Sequence, residues 1–176
     1  MNDCSHSFLK RLLQGINVMK SLPRFVDLPP LLIAGMREPL HEQSAQTIPL
    51  LWKKFAPYIG HIPHQHGAVA YGLCVHSSES SNGRYYYMAG CEVGEFGNLP
   101  EDLSPLIVPA HRYAVFAHDD HVSSIKDTID YAFDQWLPTA GCKHNPQSIH
   151  FFERYGENFN PNTGFGDMEI WLPLTA

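Results

Sequence analysis

The chain has 176 residues, 44% of them hydrophobic, enough for one ordinary domain or two small fused halves with a real core, and too apolar for a disordered chain. A formal net charge of -6 and a pI near 5.9 speak against a phosphate-binding surface, which needs a basic patch or stripe, and favour cationic partners. Cys4, Cys74, Cys91 and Cys142 lie far apart with no C-x-x-C pair, which argues against a zinc ribbon or a dense disulfide framework and suits a reduced chain. No apolar run approaches the ~18 residues of a membrane span, and Met1 to His6 lacks the regions of a secretory signal. A soluble, cytoplasmic protein is expected, with no membrane partner and no cofactor.

In chain order, residues 1–23 form an extension whose Phe8 to Met19 segment places Leu9, Leu12, Leu13 and Ile16 at helical spacing. It is expected to cover a hydrophobic edge, and it is too short for a helix-turn-helix with a linker. A strand follows at Leu31 to Glu38, then a helix at about Ile48 to Ile59, with Leu51, Trp52, Phe55 and Ile59 on one stripe and Pro49 in its first turn. Strands at Tyr71 to Val75 and Tyr85 to Val93 flank a polar loop ending in Asn82-Gly83, which is hairpin chemistry. After a short link, Gly94 to Ser104, come a strand at Arg112 to Asp119 and a helix at about Ser124 to Leu137. That helix has Ile125, Ile129, Ala132, Phe133 and Trp136 on one stripe, a Ser123 or Ser124 cap, and Gly141 beyond its end. Strands at Phe151 to Tyr155 and Gly166 to Leu172 close the chain.

The second half repeats the first at an offset of 81 residues. Trp52-Lys53-Lys54-Phe55-Ala56-Pro57 answers Phe133-Asp134-Gln135-Trp136-Leu137-Pro138, Ala70 to Cys74 answers Phe151 to Tyr155, and Tyr85 to Cys91 answers Gly166 to Leu172. The fold class expected is α+β: duplicated βαββ units, about 24–93 and 103–174 within a domain over 24–176, forming an antiparallel curved sheet. The helices cover one face and leave a ligand cleft on the other.

Two carboxylates stand in segments otherwise built like buried strands, Glu153 in Phe152-Glu153-Arg154-Tyr155 and Glu169 in Glu169-Ile170-Trp171-Leu172-Pro173. A buried carboxylate costs several kcal/mol unless it is neutralised, hydrogen-bonded or matched by a positive charge. Strand alternation points Glu169 and Trp171 the same way, and an anion beside an indole is a cation receptor. By the repeat, Glu153 answers Gly72, Glu169 answers Met88 and Trp171 answers Gly90. Phe151, Tyr155 and Tyr86 are candidate walls by alternation, Met88 supplies a deformable thioether, and Tyr71, Leu73 and Tyr87 read as core. Eleven histidines raise the question of a metal. His61, His64 and His66 lie in a loop at a spacing that matches no closed tetrahedral site, and His111, His118 and His121 are looser still, so no metal is expected. Cys74 and Cys91 read as small buried hydrophobes.

Ile33-Ala34-Gly35-Met36, Leu51 to Phe55, Tyr87 to Val93, Val108 to Phe116, Phe152-Glu153-Arg154-Tyr155 and Glu169 to Pro173 occur in an order that resembles the GyrI-like small-molecule-binding family, from about Pro23 to Leu174. The resemblance implies a duplicated βαββ fold, shared with the effector-binding domains of multidrug-sensing and AraC-type regulators. It also implies that the glutamate of the Phe-Glu-x-Tyr segment, here Glu153, lies in an aromatic pocket and pairs with lipophilic cations. The ligand-binding set expected is therefore Glu153, Glu169, Trp171, Tyr155, Phe151, Met88 and Tyr86, with no catalytic residue. The function expected is binding of lipophilic, cationic small molecules, for sensing or sequestration, by a monomer or weak dimer that does not contact nucleic acid itself. Two alternatives rest on relatives: a hydrolase of electrophilic cyclopropane-type compounds using the two glutamates, and a gyrase-inhibitory module. DNA gyrase or a separate regulator would then be the protein partner.

Overall fold

A computed structural model describes residues 22–77, 85–146 and 149–175. The expected helix at Phe8 to Met19 and the Asn82-Gly83 turn lie outside the described residues. Among the described residues eight strands form one antiparallel sheet: β1 (Arg24–Leu28), β2 (Leu31–Pro39), β3 (Gln65–His76), β4 (Tyr85–Val93), β5 (Ser104–Val108), β6 (His111–His118), β7 (Ile149–Tyr155) and β8 (Met168–Leu174). Their spatial order is β1-β6-β8-β7-β3-β4-β2-β5. Helix α1 spans Ser44–Phe55. Helix α2 begins at Ile125–Asp130 and continues as a π-helical stretch over Tyr131–Trp136.

The strand order is unchanged when the two halves are exchanged, and the two helical stretches match at the 81-residue offset. The central pair is β3 with β7, and there Gly72 lies directly opposite Glu153, its own counterpart. The pseudo-twofold axis of the molecule therefore passes between these two residues. The strands β1 and β5, which the periodicity did not reveal, are exchanged between halves: β1 pairs with β6, and β5 pairs with β2.

Both helices lie on the same sheet face. Leu51 and Phe55 of α1 pack on Ala34, Tyr87, Ala89 and Cys91, while Ala132 and Trp136 of α2 pack on Ala114, Phe116, Ile170 and Leu172. α1 thus sits over β2 and β4, and α2 over β6 and β8, so β3 and β7 form a strip between them. The other face, where the sequence leads one to expect the ligand cleft, is filled by its own rings, Tyr71, Tyr113, Phe152 and Trp171, in the curl of the sheet, and the candidate site lies on the helix-bearing face instead.

Local chemistry moves the helix ends from where spacing alone puts them. α1 begins four residues before Ile48, with Ser44 Oγ accepting the His41 N–H at 2.7 Å. Pro49 is accordingly inside the helix rather than in its first turn, and the bond that its missing N–H would make belongs to the carbonyl of Ala45, an exposed residue that water can serve. At α2 neither serine hydroxyl caps the helix. The His121 ring nitrogen Nδ1 accepts from the Ser123 N–H at 3.1 Å, and Ser124 Oγ donates to the His121 carbonyl at 2.8 Å. Buried His118 ties β6 to this turn: Nε2–H donates to the His121 carbonyl at 3.1 Å, leaving Nδ1 to accept from the Thr128 hydroxyl at 2.8 Å. Gly60 and Gly141, equivalent positions past the two helices, both take positive φ, 83° and 68°, where a side chain would be strained.

Candidate functional site

Glu153 is 7% exposed and points from β7 onto the helix-bearing face, into the strip between α1 and α2. Its Oε2 accepts from the Tyr87 hydroxyl at 2.5 Å and from the Tyr155 hydroxyl at 2.8 Å. Trp52 of α1 reaches over and donates its indole N–H to the Tyr87 oxygen at 3.1 Å, while its ring meets the Tyr155 ring edge-on at 5.2 Å. Phe159 also packs on Tyr155, with ring centroids 4.9 Å apart. Three aromatic side chains from three elements thus converge on one carboxylate.

Gly72 makes this approach possible. A Cβ at position 72 would lie 1.9 Å from the Tyr87 hydroxyl and 2.5 Å from Glu153 Oε2, distances no side chain can occupy. One residue of the axial pair must be glycine for the other to carry a carboxylate in contact with Tyr87.

Among the described residues Glu153 makes no ion pair. Burial pushes its pKa above the ordinary 4.5, and the two hydroxyl donors offset part of that rise. Tyr87 and Tyr155 are held well above 10, by burial first and by the Glu153 charge second, so both remain donors. Cys74, whose thiol also senses Glu153, is raised to about 12, chiefly by burial, as is Cys91, by burial alone. Both thiols are inert as nucleophiles at neutral pH.

The seven expected ligand residues divide between the two faces of the sheet. Phe151, Glu153 and Tyr155 share the helix face. Glu169, Trp171, Met88 and Tyr86 lie on the opposite one, because β7 and β8 pair Arg154 with Glu169 and Glu153 with Ile170. Alternation within each strand was read correctly; the register between strands put the two sets on opposite sides. On that second face the anion-plus-indole pattern is already filled by the chain itself. Arg24 of β1 stacks over the Trp171 ring at 5.3 Å and meets Glu169 Oε1 at 2.5 Å. Trp171 donates its N–H to Glu169 Oε2 at 3.0 Å, and Arg154 lies 3.5 Å from the same oxygen. Met88 is fully buried against Leu73, and Tyr86 is covered by Arg37 at 5.8 Å. A general acid and base built from both glutamates would need them on one face, and this arrangement does not assemble one.

Gly72 leaves room beside Glu153, as the repeat suggests, and Tyr87 is core, 3% exposed, as expected. What the sequence does not reveal is that Tyr87 is also the nearest donor to the charge and that Trp52 joins it from α1.

Replacing Arg24 with alanine is expected to shift Trp171 fluorescence and to cost about 1 kcal/mol or less, since Arg24 is 53% exposed and screened. An emission that does not move would mean that Arg24 does not cover the Trp171 ring.

His61, His64 and His66 do not converge on one point. His64 Nε2 faces Glu95 at 3.0 Å, His66 Nδ1 faces Glu92 at 3.6 Å, and His61 turns back to the Ile59 carbonyl. Among the described residues no group of three or more His, Cys, Asp or Glu could hold a metal, and no helix is long and apolar enough to cross a membrane.

The duplicated antiparallel sheet with two helices on one face is the fold of a known class of small-molecule-binding domain. The chain belongs to the GyrI-like small molecule binding domain family, whose model matches residues 22–175. It is 30% identical over 156 residues to the transcriptional regulator BrlR of Pseudomonas aeruginosa, covering 86% of this chain and 54% of BrlR. The chain therefore spans about half the length of that curated relative. Among solved structures the fold is shared with SAV2435 bound to tetraphenylphosphonium, with a TM-score of 0.72, 16% identity, and coverage of 89% of this chain and 95% of that one. It is also shared with a putative transcription regulation protein from Staphylococcus aureus MU50, at 0.69, 18%, 88% and 98%. In the EcmrR–DNA complex the match has a TM-score of 0.65 and 15% identity, and covers 96% of this chain and 62% of EcmrR.

Proposed function

We propose that this domain captures lipophilic organic cations, with Glu153 as the charge that pairs with them and Trp52, Tyr87 and Tyr155 as the ring surface around it. The observation that carries this reading is a carboxylate buried among rings with no ion-pair partner among the described residues. Hydroxyl donors alone offset only part of the cost of its ionisation. A delocalised cation would supply the missing charge and add cation–π attraction of about 0.5 to 2 kcal/mol per ring. The likeness to a protein bound to tetraphenylphosphonium supports the choice of that cation as the probe.

The test is calorimetric titration with tetraphenylphosphonium across pH. The cation pairs with ionised Glu153, so affinity should fall as pH drops from neutral towards 4.5, the ordinary value above which the buried group is raised. Near the raised value each cation bound should release a proton, read from the dependence of heat on buffer ionisation enthalpy. Stability should move the other way. A raised carboxyl contributes stability that is fully present below its unfolded pKa and is lost as pH rises through the folded one. Relative to Glu153→Gln, the free protein should therefore gain stability on acidification. Affinity that stays constant over this range, with no proton release, counts against Glu153 as the anchor.

A further inference from the structure

The pseudo-twofold axis gives the strip between the helices two ends, and they are chemically unlike. Trp52, which leans over the Glu153 end, has Phe133 of α2 as its counterpart 81 residues on. Phe133 stacks face to face on His150, with ring centroids 5.0 Å apart and planes 15° from parallel, and packs edge-on against Phe151 at 5.9 Å. His150 reaches it because β7 bulges there: the pairing steps from Cys74–Phe151 to Val75–Ile149 and leaves His150 as the extra residue. His144 and Tyr85 flank the His150 ring at 4.8 and 5.0 Å, and His76 meets Tyr85 at 5.4 Å. Most of these rings are half-buried, and His76 is exposed.

Two further facts distinguish this corner from ordinary packing. Among the described residues His150 Nδ1 is buried without a hydrogen-bond partner, and such an atom leaves a cost that a partner would remove. His150 is also held neutral, its pKa lowered to about 4 by burial first and by His144 and His76 after that; His144 is lowered too, chiefly by burial. A neutral corner does not repel a cation anchored nearby.

We propose that the Phe133, His150 and Phe151 corner is a second, uncharged subsite that takes an aromatic arm bearing a hydrogen-bonding group, a phenol or a heteroaromatic N–H. Phe151 and His150 lie two and three residues along β7 from Glu153, which at about 3.3 Å per residue sets the arm about 7 to 10 Å from the charge. The inference rests on the cation reading above and extends it: the favoured ligand is an elongated cation with a polar ring at its far end, not a compact one.

The experiment compares two probes that share one cation, methyltriphenylphosphonium and a triphenylphosphonium carrying a 4-(4-hydroxyphenyl)butyl chain. The unsubstituted protein should bind the second about tenfold more tightly, the combined effect of one ring contact and one hydrogen bond. His150→Phe keeps the stacked ring and removes the nitrogens, and Phe133→Leu removes the ring partner while keeping an apolar side chain. Each should bring the two probes to equal affinity without changing that of methyltriphenylphosphonium. In the unsubstituted protein, whose fold is not in question, the His150 ring proton resonances should shift with the hydroxyphenyl probe only. Equal binding of the two probes, equal weakening of both by the substitutions, or unmoved His150 resonances would overturn the subsite while leaving the cation reading in place. Failure of both probes to bind would overturn both.

Discussion

Glu153→Gln is expected to reduce affinity for tetraphenylphosphonium by at least about 30-fold, since removing one member of a desolvated charge pair costs about 2 to 5 kcal/mol. The amide keeps the shape of the side chain and still accepts from Tyr87 and Tyr155, which lie 2.5 and 2.8 Å from the carboxylate oxygen. It also relieves the protein of an uncompensated buried charge, so the variant should melt at the same temperature as the parent or above it at neutral pH. Loss of binding in a protein of undiminished stability would separate the electrostatic role from a folding defect. A neutral ligand of similar bulk, such as triphenylphosphine oxide, should not distinguish the two proteins. Equal affinity of both for the cation would remove Glu153 from the site.

Gly72→Ala is expected to damage fold and binding together. The new methyl would stand 1.9 Å from the Tyr87 hydroxyl and 2.5 Å from Glu153 Oε2, in the central strand pair of the sheet. Overpacking of this kind costs about 1 to 3 kcal/mol, a fall in melting temperature of about 2 to 12 °C for a chain of this size. Separating Tyr87 from Glu153 should also weaken the cation complex. Gly90→Ala is the matched control. Its methyl would meet Ile33 Cγ2 at 2.6 Å and the Ala34 carbonyl at 3.0 Å on the opposite face, so it should lower stability while leaving cation affinity intact. Similar affinity losses in both variants would mean that general loosening of the sheet, not the Glu153 contact, controls binding.

Much of the architecture was legible because the two helices carry regular apolar stripes and because the halves repeat at one offset. The edge strands β1 and β5 were not. Each is five residues long, one contains Pro105, and their pairing partners lie in the other half of the chain, where no local pattern reports them. The site was legible only within single strands. Alternation correctly grouped Phe151, Glu153 and Tyr155, and separately Glu169 with Trp171, but the register between β7 and β8 carries no sequence signature. The cation that satisfies Glu169 comes from Arg24, 145 residues away. In an antiparallel pair that straddles a pseudo-twofold axis, a residue on the axis faces its own equivalent, as Gly72 faces Glu153, but which strands form that pair is set by the sheet order and not by the repeat.

That axial position bears on why the two halves exist as one polypeptide. Were the domain assembled from two identical subunits, whatever occupied the centre would appear twice, giving either facing glutamates competing for the same space and repelling each other, or facing glycines with no charge at all. Joining the copies end to end releases that constraint, since each can then drift independently. A lone acid at the midpoint of a symmetric scaffold is thus a chemistry open to the fused molecule and closed to a homodimer of either half.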